Sequence, residues 1–379
     1  NYGAGGGAGG TVNITATAFN GAGSILANGS AGATSTYFGG GGGGGRIAVV
    51  TGTDASNLNL QANGGAGGGP GATGGGAGVI ALKTTGGVNY SLSIGDLTAV
   101  PQSGSGVGGA VPEFSTVTLN NSIVNFDPGS NVMINSLVVA GGATLSGHNF
   151  SFGSAAPLQV RPGGSLKVTA NQVTIPVGSP IDIRGSLTVT ANQLTIPSGS
   201  PIEVQGGGSL SLAVVTNSGG ALIVRNGGVF AQLNAQVLNF DSVLVEQGGV
   251  LTHAANGSTR SSLLNLAVSG NFDLRAGATI TAAGLGYAGG VGYREPGKGP
   301  GGGLSSSFVG GGGAHGGAGG KSSSNDAGGA AYDSATNPLD LGSGGAGSYA
   351  NGVGGAGGGA VLIAVGGAFS LNGRINVSG

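Results

Sequence analysis

The sequence predicts an all-β protein, a parallel β-helix or β-solenoid with coils of about 21 residues in the middle and glycine-rich solenoid arms on either side. Three observations predict it. "SLKVTANQVTIPVGSPIDIRG" at 165–185 is followed at once by "SLTVTANQLTIPSGSPIEVQG" at 186–206. Inside each copy the apolar residues alternate, Leu166 with Val168, Val173 with Ile175 and Ile181 with Ile183, which is the period of a strand and not of a helix. Glycine supplies 91 of the 379 residues, far above the roughly 7% usual in proteins.

Residues 1–111 read as the first glycine-rich arm. Glycine runs lead straight into short apolar strands at "GAGGGAGGTVNIT" (3–15), "GGGGGGGRIAV" (39–49) and "TGGGAGVIAL" (73–82). A second element recurs between them, "FNGAGSILANGSAG" (19–32) and "LNLQANGGAGG" (58–68). The strands are spaced by 35 residues from Val12 to Ile47 and by 33 from Ile47 to Ile80. Glycine at this density suits the polyproline-II helix, which has about three residues per turn and no internal hydrogen bonds. Polyglycine strands of this kind can bond one another laterally, because no Cβ holds them apart. Ordering glycine is costly, so the neighbouring β-coils are expected to act as the template.

Residues 112–280 read as the regular β-helix, with about seven or eight coils. Corners are expected at Asn, at Pro-x-Gly-Ser-Pro and at the glycines closing "PLQVRPGG" (157–164), "ALIVRNGG" (221–228) and "SVLVEQGG" (242–249). Asn171 and Asn192 occupy the same place in successive copies and are expected to stack as a hydrogen-bonded ladder at a corner. Residues 281–379 read as a second glycine-rich arm, carrying "GGAGGGAVLIAV" (354–365) and "LNGRINVSG" (371–379). A long inserted loop at about 285–352 interrupts it and holds Tyr287, Tyr293, Tyr332 and Tyr349. It reads as a surface flap that meets a neighbour or ligand, or as an inert loop.

Chemistry is sparse. The net charge is −1 and charged residues make up 7%, so no footprint for nucleic acid or an anionic membrane is present. The longest apolar run, "AVLIAVGGAF" (360–369), is too short and glycine-rich to span a bilayer. The chain has no cysteine, and His148, His253 and His315 lack partners at metal-ligand spacing, so no cofactor or metal is expected. "GGAHGGAGGKS" fails the phosphate-loop spacing, because His315 stands where a glycine is needed. Asp182 and Glu203 share one outward position, beside Arg161, Arg184 and Arg225 and with Glu246 at the end of that column. They read as a mixed-charge ladder and not as a catalytic pair, since no third group or concentration of acids accompanies them. The Thr-x-Thr of Thr188 and Thr190 is similar to ice-binding arrays, but Lys167 breaks it in the partner copy. Asn-x-Ser/Thr sequons stand at Asn13, Asn28, Asn89, Asn120, Asn149, Asn256 and Asn376. The chain begins at Asn1 and not Met, which reads as a processed form or a fragment, and no signal peptide is visible.

The two ends fit each other. "LNGRINVSG" (371–379) is the element that precedes a glycine run inside the first arm, and "NYGAGGGAGGTVNI" (1–14) is such a run with its strand. A head-to-tail seam is therefore expected, with Ile363, Val365, Leu371, Ile375 and Val377 of one copy meeting Val12 and Ile14 of the next.

The "GGGGGGGRIAV" block and the "GSILANGSAG" before it resemble glycine-rich repeats of large bacterial surface and fibre proteins. The 21-residue coils resemble the passengers of filamentous-haemagglutinin and autotransporter adhesins. The glycine content is similar instead to the polyglycine-II sandwiches of phage tail-tip adhesins. The resemblance implies an extracellular or cell-surface location, in a bacterium, and adhesion or fibre formation. The expected function is a structural, non-enzymatic protein that assembles head-to-tail into a filament or forms one segment of a long fibre, with copies of itself as partners. The alternative is an adhesin for surface glycans or a receptor. Ice binding and polysaccharide cleavage rank below both.

Overall fold

The computed structural model describes residues 2–18, 23–51, 59–75, 78–84, 90–95, 104–107, 113–120, 122–126, 131–152, 158–175, 177–178, 180–216, 220–349 and 351–379. Regular structure among them is all β-strand, nearly all paired in parallel, so the chain is a parallel β-solenoid. It divides into two compact units, Asn1–Ile202 and Glu203–Gly379.

The first unit opens with the glycine-rich arm. Strands Thr11–Ala16, Arg46–Thr51 and Val79–Thr84 stack in parallel, with Val12 on Ile47 and Ile47 on Ile80. Ser24–Leu26 stacks on Asn59–Gln61. Ile47, Val49, Ala27 and Ala62 form the small core, and Val12, Ile25, Leu60 and Ile80 pack against it. Val79–Thr84 then pairs antiparallel with Tyr90–Gly95, a break in an otherwise parallel order. The junction at 111 and 112 lies outside the described residues.

Beyond it the coils are regular. Leu137–Val139, Leu158–Val160 and Ile181–Ile183 stack, and so do Gly142–Ser146, Ser165–Thr174 and Ser186–Thr195. The repeated segments lie in register, Ser165 on Ser186 and Thr174 on Thr195. Ser165–Thr174 is one strand that changes faces: Leu166 and Val168 are buried, then Val173. The parity flips at Asn171, and this is the corner.

In the second unit three faces enclose the core. Leu222–Val224, Val243–Val245, Phe272–Leu274 and Phe369–Leu371 stack on one face. Val229–Gln232, Val250–His253, Thr279–Thr281 and Arg374–Asn376 form the second. Leu238–Phe240, Leu264–Val268 and Val361–Val365 form the third. Each strand turns alternate side chains inward, so Phe230, Phe240 and Phe272 are fully buried. Glycine makes the corner between the first two faces: Gly227 and Gly248 sit at φ 75° and 78°, the third position of a type II turn. Gly228 N and Gly249 N close these turns on Arg225 O and Glu246 O at 2.8 and 2.9 Å. The corners also stack, with Gly227 N donating to Gly248 O at 3.1 Å.

Candidate functional site: a glycine lattice and an open coil

The glycine runs hydrogen-bond in steps of three. Gly3, Gly6 and Gly9 donate to Tyr37, Gly40 and Gly43. Gly39, Gly42 and Gly45 donate to Ala33, Ser30 and Ala27. A strand ladder repeats every two residues, whereas a helix with about three residues per turn points every third N–H at the same neighbour. These runs are therefore polyglycine-II-like, and the seven-glycine run at 39–45 is the middle of its bundle.

The segment at 285–352, which the sequence reads as a loop, belongs to a second such bundle. No strand lies among its described residues, yet its backbone is paired. Gly342, Gly345 and Ser348 donate to Gly358, Gly355 and Gly352 at 2.8, 2.9 and 3.1 Å. Ser343, Ala346 and Tyr349 donate to Ala314, Gly311 and Phe308, and Gly344 and Gly347 to Lys298 and Glu295. Consecutive amides thus turn to three different neighbours in rotation. Sequence reasoning missed this because the partners lie anywhere from 4 to 52 residues apart, at no fixed spacing, and no side-chain pattern marks them.

Side chains fasten the bundle where glycine stops. Asp326 is buried and accepts from Ser306 N at 2.7 Å, from Ser322 Oγ at 3.0 Å and from the hydroxyls of Ser306 and Ser307. Those donors hold its carboxyl far below the usual range. Asp333, at φ 67°, accepts from the amides of Asp340, Leu339 and Ser334 and from His315 Nε2 at 3.2 Å. Its pKa falls to about 2, chiefly through the Asp340 amide. Tyr287 Oη donates to Asp340 Oδ1 at 2.9 Å, and burial first, then this bond, lifts the phenol to about 12. No cluster of three or more metal-ligating side chains occurs among the described residues.

The last coil is open. Phe272, Leu274 and Ile280 are each 0% exposed, while Phe369, Leu371 and Ile375, stacked on them, are 41%, 52% and 39% exposed. Val377 is 45% exposed, and Ile363 and Val365 are half-buried. Ile363, Val365, Phe369, Ile375 and Val377 line an apolar mouth of about 530 Å³, rimmed by His315, Pro338 and Asp340. Val12 and Ile14 are half-buried on Thr11–Ala16, whose one strand partner among the described residues is Arg46–Thr51.

Asn192 Nδ2 donates to Asn171 Oδ1 at 3.0 Å across neighbouring strands. Asp182 pairs with Arg184 at 3.1 Å. In the second unit Arg225 bridges Glu203 and Glu246 at 3.1 and 3.0 Å, and Glu203 raises the guanidinium pKa most. Such half-exposed pairs contribute at most about 1 kcal/mol each. Lys167 stacks on Thr188. Asn256 spends its amide on Ser262 and Leu285 carbonyls at 2.8 and 2.7 Å and is buried, so its sequon is closed to a glycan in the fold. Asn89 lies outside the described residues. No helix among the described residues is long and apolar enough to cross a membrane.

His253 is an inward residue of the second face, stacked on buried Gln232. Its Nδ1 meets Ala254 O at 2.8 Å, and its Nε2 is buried without a partner. Burial pushes its pKa below the ordinary value, and the Ala254 bond opposes only part of this. The folded state therefore binds fewer protons here than the unfolded state. Stability is full above the unfolded pKa of about 6.5 and falls as pH drops below it toward the folded value. Denaturant titrations at pH 7.5 and 5.5 should show this loss for the wild type. His253→Gln should lessen the pH dependence, and an unchanged pH dependence would refute the assignment.

No family model, curated protein or solved structure matches this chain. Its strand pairing defines the class: a parallel β-solenoid repeat protein. Within that class, both units join strand coils to a polyglycine-II-like bundle.

Proposed function

We propose that this chain is a structural protein of an extracellular filament or surface fibre, in which the coils of one copy continue onto those of the next. The observation that carries the reading is the open end: Phe369, Leu371 and Ile375 continue the inward columns of Phe272, Leu274 and Ile280, and they and Val377 are exposed. Apolar inward faces and unpaired strand edges favour addition of further strands. A contact between unlike ends does not close, so it propagates. Small side chains and low charge allow close lateral packing. The resemblance to bacterial surface repeats supports the extracellular setting.

One observation favours a receptor- or glycan-binding reading as the second choice. Tyr293, Phe308 and Tyr349 are exposed on the glycine bundle and form one aromatic cluster, with ring centroids 5.1 to 5.8 Å apart. Exposed aromatic faces of this kind suit binding surfaces.

Electron microscopy of the purified chain over a range of concentrations separates the two. Fibres with a constant axial repeat are expected, and Ile375→Asp should abolish or shorten them. Discrete particles at every concentration would overturn the filament reading and leave the aromatic cluster as the site to test.

A further inference from the structure

The open end of the second unit repeats several hydrogen bonds of a block found inside the first unit. In the first arm Ala27 N and Gly29 N donate to Gln61 O and Asn63 O at 2.7 and 2.8 Å. In the second unit Ala282 N and Gly284 N donate to Asn376 O and Ser378 O, both at 2.8 Å. Gly45 N and Gly78 N donate to Ala27 O and Ala62 O, and Gly359 N likewise donates to Ala282 O. A Cβ on Gly9, Gly44 or Gly358 would lie 2.0, 2.1 or 1.8 Å from the carbonyl oxygen of Ala27, Ala62 or Val377. These matches make Gly359 the counterpart of Gly45, Val361 of Ile47, and Asn376, Val377 and Ser378 of Gln61, Ala62 and Asn63.

We infer that the partner of the open coil is the first arm of a second copy, seated in one defined register. The inference rests on the end-to-end reading above. By the internal pairing of Val12 with Ile47 and Ile25 with Leu60, Val361, Ile363 and Val365 stack on Val12, Ile14 and Ala16 of the second copy. Arg374, Ile375 and Asn376 stack on its Ser24, Ile25 and Leu26. Inward residues meet inward residues at every step, because Val361, Ile363 and Val365 pair with the buried Leu264, Leu266 and Val268 below.

One residue reports on this seam without supporting the fold. A Cβ on Gly45 or Gly78 would lie 1.9 Å from the oxygen of Gly10 or Gly45 on the preceding coil. Gly10 is their counterpart, and a Cβ there meets nothing within 4 Å. In the seam it would strike the Gly359 carbonyl of the neighbouring copy. Gly10→Ala therefore leaves the free chain intact and blocks the joint.

The test uses the full chain. Gly10→Ala should cut fibre mass in a sedimentation assay at least tenfold, with circular dichroism and melting of the soluble chain unchanged. Gly316→Ala, where a Cβ also meets nothing within 4 Å, should assemble as wild type. The chain has no cysteine, so introduced thiols stand alone. Thr15→Cys with Ala364→Cys falls in register and should yield a ladder of covalent multimers on oxidation. Asn13→Cys with Ala364→Cys should not. Wild-type fibres with an unaffected Gly10→Ala variant, or a ladder from the second cysteine pair alone, would overturn the register and leave the end-to-end reading standing. Absence of wild-type fibres would overturn both.

Discussion

Gly344→Ala is expected to dismantle the glycine bundle of the second unit, at a cost above about 3 kcal/mol, the upper range for overpacking. Gly344 lies mid-segment, donating to Lys298 O while its neighbours donate to Ala314 and Gly355. A Cβ would sit 2.1 Å from Ala288 O, 2.5 Å from Ala288 C and 2.7 Å from Gly289 N. All three are backbone atoms, so no rotamer change relieves the clash. The strands must part, and three directions of hydrogen bonding go with them. Gly355→Ala is the control, since a Cβ there meets nothing within 4 Å. It should be neutral, or stabilising by about 0.4–1 kcal/mol through the unfolded chain. Hydrogen exchange at the amides of 342–349 reads both. Retained protection in Gly344→Ala would show that the bundle tolerates separation and that its order comes from elsewhere.

Phe272→Ala is expected to cost about 3–5 kcal/mol, the range for a buried phenylalanine. Phe272 is 0% exposed, stacked on Val243 below and on Phe369 above, with the two rings 5.0 Å apart. A parallel solenoid cannot close over the loss, because the coil spacing is held at about 4.8 Å by the strand hydrogen bonds. Phe369→Ala removes the same ring from the open coil, where 41% exposure leaves roughly half the burial to lose. Its larger effect should fall on assembly. Urea titration of the soluble chain measures the first pair of numbers, and sedimentation of fibres the second. Equal losses in the soluble chain would mean that the last coil is already covered in solution.

Much of the strand architecture is legible in the residues. The alternation of Leu166, Val168, Val173 and Ile175 and the identical spacing of the two copies lead directly to stacked strands in register. The corner glycines are legible too, since only glycine accepts φ near 75° readily. The bundle at 285–352 was not, because a three-fold helix shows no side-chain period when most residues are glycine. The column of Glu203, Arg225 and Glu246 was legible as a mixed-charge ladder, and three dimensions add its distances. The His315 to Asp333 contact was hidden, because it joins two residues of a segment that carries no repeat.

Composition and periodicity alone require a strand-built repeat with few charges, no thiol chemistry and glycine-lined segments that can approach one another closely. They set these features because burial of alternating side chains and the absence of Cβ act locally, residue by residue. Which glycine segment lies beside which, that Gly344 is enclosed while Gly355 is open, and that Phe369 and Ile375 remain exposed above Phe272 and Ile280 were decided only in three dimensions. The reason is physical: a polyglycine strand offers the same backbone donors and acceptors to every neighbour. Its partners are therefore chosen by what anchors its ends, the solenoid coils in the first arm and side chains such as Asp326 and Asp333 in the 285–352 bundle, and not by its glycines.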